Sequence, residues 1–340
     1  MTAAWLTRAA LLTAALLLFL FGGIVYESEN VVVISNSYHR TVNDQPRPAA
    51  FRAKSAVKEI TQRVVVDLQE VQHRETLPHW DSCPRWFKLA TALRRCLKYK
   101  FFTIKPDRFW DQISPVVDSC GAALIKHVLS AKYLVNKDDV KAIVTPKSEN
   151  DSSVSVTIGI GNDISAEKRL QGYVPNVTFY GFDPIEESGK VFREIGTYQR
   201  LAVSHVAGTL NASVLMGKNY TWRNVEAVTL GTLFNTTLAL PHIDYLFMDV
   251  EGVEYKILPQ LIESDASTNS TVICQINVEL HGPLHKYRMD DFVFGQVIKH
   301  FITKSPYIPV WIPRPLWHHR MYLLNWKAPY CVDKFYNDWC

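Results

Sequence analysis

The sequence predicts an α/β fold: a doubly wound, mostly parallel sheet, preceded by a helical extension and an apolar N-terminal span. Three observations predict it. From about Val154 onward, short apolar runs alternate with helical stretches, the sign of parallel strands joined by crossover helices. The first of these runs ends in a tight Gly159-Ile160-Gly161 turn. Before it, apolar residues follow helical spacing, and the extreme N-terminus is apolar on every face.

Ala9 to Tyr26 is 18 residues without a charge. As a helix it would span about 27 Å, close to the ~30 Å hydrocarbon core of a bilayer. Arg8 precedes it and Glu27 and Glu29 follow. The positive-inside rule then puts residues 1–8 in the cytosol and the bulk of the chain in the lumen of the Golgi or endoplasmic reticulum, anchored by a single type II span at 9–26. Cleavage as a signal peptide is the competing reading; Phe21-Gly22-Gly23 offers small residues, but the run is longer than a signal core of ~7–15 residues. In that case the chain would be secreted.

Asn-x-Ser/Thr sequons at Asn150, Asn176, Asn211, Asn219, Asn235 and Asn269 all follow the span and predict glycosylation. The six Cys, at 83, 96, 120, 274, 331 and 340, predict disulfides in an oxidising lumen, with connectivity open and Cys274 read as a free buried thiol. No CxxC pair supports a Cys-rich zinc site. A net charge of +4 with no block of Lys or Arg argues against nucleic acid as a partner.

Residues 27–55 are polar and read as a stem. Residues 56–150 read as a helical, Cys-containing extension, with candidate helices at Val57–Val71, around Trp86–Leu97 and over Val116–Val135. Residues 151–330 form the α/β domain and 331–340 a Cys-containing tail. Within the domain, strands are predicted at Val154–Ile158, Val177–Phe182, Arg200–Ser204, Ile243–Val250 and Val272–Leu280, with closing strands at Ile308–Ile312 and Met321–Asn325. Helices are predicted at Ile164–Leu170, Ile185–Ile195, Val253–Ile262 (ended or kinked by Pro259) and Asp290–Thr303, capped by Asp290. Trp311, Trp317 and Trp326 read as core and rim packing.

The motifs sit at strand ends. Gly159 and Gly161 let a ligand approach the backbone, as in Rossmann-like folds. Ser165 and Ala166 stand where a third dinucleotide-type glycine would open the helix, which fits a ligand without phosphates. Asp183 ends the second strand, placed for a ribose diol or as a helix cap. Asp249, Glu251 and Glu254 follow the apolar strand Ile243–Met248, with Glu254 read as capping or solvated, and Glu279 and His281 end the next strand. His281 and His285 have zinc-like spacing, which two histidines often show without a metal.

Gly159-Ile160-Gly161, Asp183-Pro184, the block from Ile243 to Glu254 and Val278-Glu279-Leu280-His281 together resemble the FkbM-type methyltransferases, most closely a membrane-anchored nematode branch. The resemblance covers roughly 154–282 and is most specific over Ile243–Glu254. Two positions depart from the family pattern: Thr157 stands for an Asp and Asp163 for a Gly. The resemblance implies a class I methyltransferase-like fold, S-adenosylmethionine as cofactor and O-methyl transfer.

On that basis Gly159, Gly161 and Asp163 would line the methionyl part, Asp183 would hold the ribose and Ala202, with Leu201 and Val203, would flank the base. Asp249, Glu251 and His281 are the candidates for the base that takes a hydroxyl proton. Asp249 and Glu251 could alternatively bind a divalent cation, although no metal is predicted. The lumenal setting points to a hydroxyl of a glycan or glycoconjugate as acceptor. Two other readings use the same features: a Golgi glycosyltransferase using a nucleotide sugar, with Asp249-x-Glu251 imitating an Asp-x-Asp site, and a non-catalytic lumenal binding module.

Overall fold

The computed structural model describes residues 82–105, 108–120, 128–137, 139–216, 219–263, 271–282, 291–313, 318–336, 338 and 340. The span at 9–26, the stem at 27–55 and the helical spacing of Val57–Val71 lie outside the described residues, as do Asn269, His285, Asp290 and Trp317. Among the described residues no helix is long and apolar enough to cross a membrane.

Two helices come first, α1 (Pro84–Thr103) and α2 (Phe109–Ser119). The stripe Trp86, Phe87, Ala90, Leu93, Leu97 and Phe101 on α1 is buried, as its helical spacing predicts. Among the described residues the rest of the extension is not all helix: α2 ends at Ser119, and the end of the helix expected over Val116–Val135 is instead strand β1 (Lys132–Val135), which forms a hairpin with β2 (Val140–Ile143).

This hairpin docks on the sheet through side-chain amides. Ala142 N–H donates to Asn277 Oδ1 at 2.9 Å and Asn277 Nδ2 donates back to the Ala142 carbonyl at 2.8 Å. Gln275 does the same with Val144, at 2.8 and 2.9 Å. Each amide thus imitates one rung of a β-ladder and satisfies backbone that burial would otherwise orphan.

The main sheet is built from β3 (Ser153–Ile158), β4 (Val177–Phe182), β5 (Thr197–Gln199), β9 (His242–Met248), β10 (Val272–His281), β11 (Tyr307–Trp311) and β12 (His318–Asn325). Its order is β11-β12-β10-β9-β3-β4-β5. The five strands from β10 to β5 are parallel, and β12 and β11 close one edge antiparallel. Strand β9 is buried at every residue from Ile243 to Met248, which explains its unbroken apolar run. The order reverses between β3 and β9, and a crevice forms at that point.

Helices α3 (Ser165–Tyr173), α4 (Glu254–Glu263) and α5 (Asp291–Lys304) follow β3, β9 and β10. Phe294, Ile298 and Phe301 of α5 are fully buried. Helix α4 runs through Pro259 rather than stopping there. The predicted helix at Ile185–Ile195 is a short α-turn, Glu186–Gly189, continued as a 3₁₀ turn, Lys190–Glu194.

The strand expected at Arg200–Ser204 divides. β5 lies wholly before the expected range, ending at Gln199, and joins the main sheet, while β6 (Ala202–Val203) pairs in parallel with a separate hairpin, β7 (Gly208–Met216) and β8 (Asn219–Val228). That hairpin was not anticipated. Its period-two signal is carried by few and small residues: Leu210, Ala212 and Val214 on β7 and Val225 and Ala227 on β8 alternate with exposed Thr209, Asn211, Asn224 and Glu226.

The C-terminal segment is welded to the core. Trp86 Nε1 donates to the Trp326 carbonyl at 3.1 Å, and the Trp86 ring stacks on Tyr336 at 4.4 Å. Disulfides join Cys83 to Cys340, Cys96 to Cys120 and Cys274 to Cys331. Cys274 is therefore not the free thiol expected; it faces the segment that covers its strand. The unreduced protein is expected to take no thiol-alkylating label. Replacing Cys274 and Cys331 together by Ala, which opens a loop of 57 residues, should cost about 4 kcal/mol in chemical denaturation on a loop-entropy argument.

Candidate active site

The crevice holds a cavity of about 560 Å³, in the range of small-molecule sites. Its floor is the C-terminal rim of β3, β4 and β9, and its walls come from the β1–β2 hairpin, the segment from Leu201 to His205 and the β7–β8 hairpin. Gly159, Gly161, Asp163, Asp183, Ala202, Asp249 and Glu251 all line it. His281 stands immediately behind the two acids.

The glycine turn is forced by its neighbour. Gly159 has φ +83°, and a Cβ there would fall 1.8 Å from the Asp249 carbonyl oxygen. Ile158 and Asp249 are joined across that contact, with the Asp249 N–H donating to the Ile158 carbonyl at 2.9 Å. Gly161 also has positive φ, +62°, but faces open space.

Asp183 fastens the loop from the other side. Oδ2 accepts from the N–H groups of Ile160 and Gly161 at 3.0 and 3.3 Å, and Oδ1 from Ile185 N–H and the Ser188 hydroxyl at 2.8 and 3.1 Å. A carboxylate has about four acceptor positions. The ribose role expected for Asp183 therefore needs correction: its oxygens are committed to the loop, and a diol would have to displace one of these donors.

Asp163 is similarly occupied. Oδ1 accepts from Ser165 N–H and Oγ at 2.9 and 2.6 Å, and Oδ2 from Lys137 N–H at 3.1 Å. These bonds outweigh burial and hold its carboxyl below the usual range. Asn136 Oδ1 accepts from Ala166 N–H at 3.1 Å. Side chains thus cap the first amides of α3, where a dinucleotide would seat its phosphates, and Asp163 is a cap rather than a direct cofactor contact.

The acidic block after β9 has its own geometry. Glu251 has φ +55°, a left-handed conformation that costs a non-glycine residue about 1–3 kcal/mol. Fully buried Glu254 stabilises the turn: Oε2 accepts from Gly252 N–H at 2.8 Å and Oε1 from His281 N–H at 2.7 Å. Neither expected role fits: Glu254 is buried, not solvated, and its oxygens bind the turn before α4 and the end of β10 rather than the first amides of α4.

His281 is surrounded by acids. Nδ1 lies 3.1 Å from Glu254 Oε1, and Nε2 lies 3.5 Å from Glu251 Oε2 and 3.7 Å from Asp249 Oδ1. Burial opposes its charge, but the hydrogen bonds to Glu251 and Glu254 and the nearby negative charges overcome it, raising the pKa to about 11. His281 is a held imidazolium and does not serve as the base that was expected. Asp249 keeps 45% of its side chain open to the cavity and Glu251 26%. The surrounding protein and Glu251 push the Asp249 carboxyl upward, and His281 opposes this. Burial and Asp249 push the Glu279 carboxyl upward, and Arg320 and His281 oppose this.

Behind these acids runs a chain of charges that sequence reasoning missed. Lys141 of β2 meets Asp139 at 2.5 Å, and Arg320 of β12 bridges Asp139 and Glu279 at 2.5 and 2.7 Å. Glu167, 2% exposed on α3, accepts from the Thr157 hydroxyl at 2.8 Å. Its one sequence signal is a charge at i, i+3 spacing from buried Leu170. Asp139, Lys141 and Arg320 give no local signal.

Asp249, Glu251 and His281 bring ligand-type atoms within 4.8 Å of one another, as do Glu279, His281 and His318. A cation bound by either set would compete with the ring proton of His281 for the same lone pair.

Residues 119–302 match the family described as the methyltransferase FkbM domain. The chain belongs to this family. FkbM domains transfer methyl groups, and S-adenosylmethionine is the cofactor. The cavity fits that cofactor: the glycine turn exposes backbone, the helix amides are capped against phosphate, and charged groups stand where an amino acid end can be met. No curated protein matches the chain. Among solved structures, Aeropyrum pernix fibrillarin with bound S-adenosylmethionine is 11% identical, with a TM-score of 0.31, covering 52% of this chain and 68% of that one. A SAM-dependent methyltransferase from Aquifex aeolicus is 9% identical, with a TM-score of 0.28, covering 52% and 85%.

The His281 proton has a measurable consequence. Its pKa in the fold lies above the free value of 6.5, so its contribution to stability is whole below pH 6.5 and is lost as the pH rises through about 11. Above pH 6.5, the unfolding free energy of this FkbM chain is expected to fall more steeply than that of its His281→Gln variant, by up to about 1.4 kcal/mol per pH unit. Parallel slopes in urea titrations would contradict the imidazolium assignment.

Proposed function

We propose that the protein is an S-adenosylmethionine-dependent O-methyltransferase that acts on a hydroxyl of a glycan or glycoconjugate in the secretory lumen. The observation that carries this reading is the pair Asp249 and Glu251, open to the cavity beside the glycine turn, with His281 fixed behind them.

When bound, the cofactor supplies an electrophilic methyl group on sulfonium. A sugar hydroxyl is a weak nucleophile with a high pKa, so its proton must leave as the carbon–oxygen bond forms. Glu251 is the group assigned to take that proton. Its carboxylate reaches the cavity, and its left-handed backbone, held by Glu254 through Gly252, aims it there. His281 keeps Glu251 ionised in a partly dry site, and Glu254 keeps His281 charged. The acceptor oxygen must stand about 3–3.5 Å behind the methyl carbon. Exposed Trp222, on β8 at the cavity wall, offers a flat face for a sugar ring.

Three disulfides and exposed sequons at Asn150, Asn176, Asn211 and Asn235 support a lumenal setting. Residues 9–26 are proposed as its membrane anchor. Glycosidase treatment of the chain made in a eukaryotic cell should lower its mass; an unchanged mass would remove the lumenal part of the proposal.

The reaction is tested on the full chain by transfer of labelled methyl from S-adenosylmethionine to a pool of glycans. Glu251→Gln is expected to lower kcat by about 10²–10⁴-fold, the usual weight of a general base, with the affinity for S-adenosylhomocysteine nearly unchanged. Full activity in that variant would refute the assignment. Calorimetric binding of UDP in place of S-adenosylhomocysteine would favour nucleotide-sugar chemistry instead.

A further inference from the structure

We propose that Glu167 receives the α-ammonium group of the methyl donor's amino acid end. The inference rests on the methyl-donor reading of the cavity and deepens it.

Glu167 lines the cavity, yet its residue is 2% exposed. Oε1 accepts from Thr157 Oγ1 at 2.8 Å, while Oε2 is buried and accepts no hydrogen bond. A carboxylate left half satisfied in an interior is costly, and a buried charge without its partner more so. Ala166 and Leu170 show that this face of α3 packs well with apolar groups, so packing alone does not call for an acid here. The position makes sense if a cation arrives from the cavity. Burial pushes the Glu167 carboxyl upward, against the pull of Lys141, the Thr157 hydroxyl and its own backbone N–H.

Position along the rim selects which end of the donor that cation belongs to. Leu201, Ala202 and Val203 form an apolar wall beyond β4 and β5, suited to a base. On the other side of the glycine turn, toward β9 and β10, stand Lys141, Asp139 and Glu167. Lys141 bonds to Asp139 at 2.5 Å and only attracts Glu167 from a distance, and Glu167 Oε2 keeps an unused acceptor position. Thr157, which holds Glu167, is two residues before Gly159 on β3. The carboxylate therefore stands under the turn where the methionyl part would pass.

Three probes test it by calorimetry on the full chain: S-adenosylhomocysteine, its analogue with hydrogen in place of the amino group, and 5′-methylthioadenosine, which lacks the amino acid. Glu167→Gln should weaken S-adenosylhomocysteine about tenfold or more, as loss of a charge-assisted hydrogen bond would, and leave 5′-methylthioadenosine within about threefold on the same scale. Equal affinity of variant and wild type for S-adenosylhomocysteine would overturn the proposal. If the variant does not fold, the wild type decides: it should prefer S-adenosylhomocysteine to the deaminated analogue about tenfold or more, and equal binding of the two overturns the assignment. Binding of none of the three probes by the wild type would defeat the donor reading itself, and this inference with it.

Discussion

The carbonyl oxygen of Asp249 occupies the place where any side chain on residue 159 would have to go. That contact joins the exits of β3 and β9, the two strands that flank the reversal in sheet order. Because only glycine permits it, the two chain segments leave the sheet touching, and Asp249 and Glu251 open onto the same cavity as the turn. Asp183 then clamps the turn from β4 with bonds to Ile160 and Gly161. The rim is rigid because three neighbouring strands each contribute one fixed backbone or carboxylate contact, and none of these is left to solvent.

The electrostatics of the site follow a second logic. Glu254 is fully buried and does not itself line the cavity, yet it fixes both the strained turn at Glu251 and the charge on His281. An acid with no access to a substrate thus sets the ionisation of one that has it. Burial of a lone carboxylate on this scale is prohibitive; two backbone N–H donors and an imidazolium ring offset it.

Much of this was legible in the residues. The parallel strands β3, β4, β9 and β10, the helices after β3 and β10 and the closing pair β11–β12 follow from period and apolar runs, most plainly at β9 and β10, which are buried along nearly their whole length. The lining positions Gly159, Asp183, Asp249 and Glu251 followed from the rule that ligands sit at strand C-terminal ends. What each does was less legible. Asp183 and Asp163 were assigned to the cofactor, but local N–H donors reach their oxygens first. His281 was assigned as a base, because sequence does not reveal that three acids from one short block surround it. The β1–β2 hairpin was missed because 56–150 was read as mainly helical, with β1 placed at the end of a helix over Val116–Val135 and no element assigned to Asp139 and Lys141. Cys274 was read as free because nothing in a strand's own sequence indicates a partner 57 residues away.

The amides of Gln275 and Asn277 grip β2 by its main chain alone. That grip tolerates a change of side chain provided the peptide groups stay in register, but a second one does not: Arg320 of β12 holds the Asp139 carboxylate at 2.5 Å, and Ala142 and Ile143 are fully buried. A change at Asp139 would therefore alter at once the charge of this wall and its tie to the sheet, so recognition and stability are coupled at that residue.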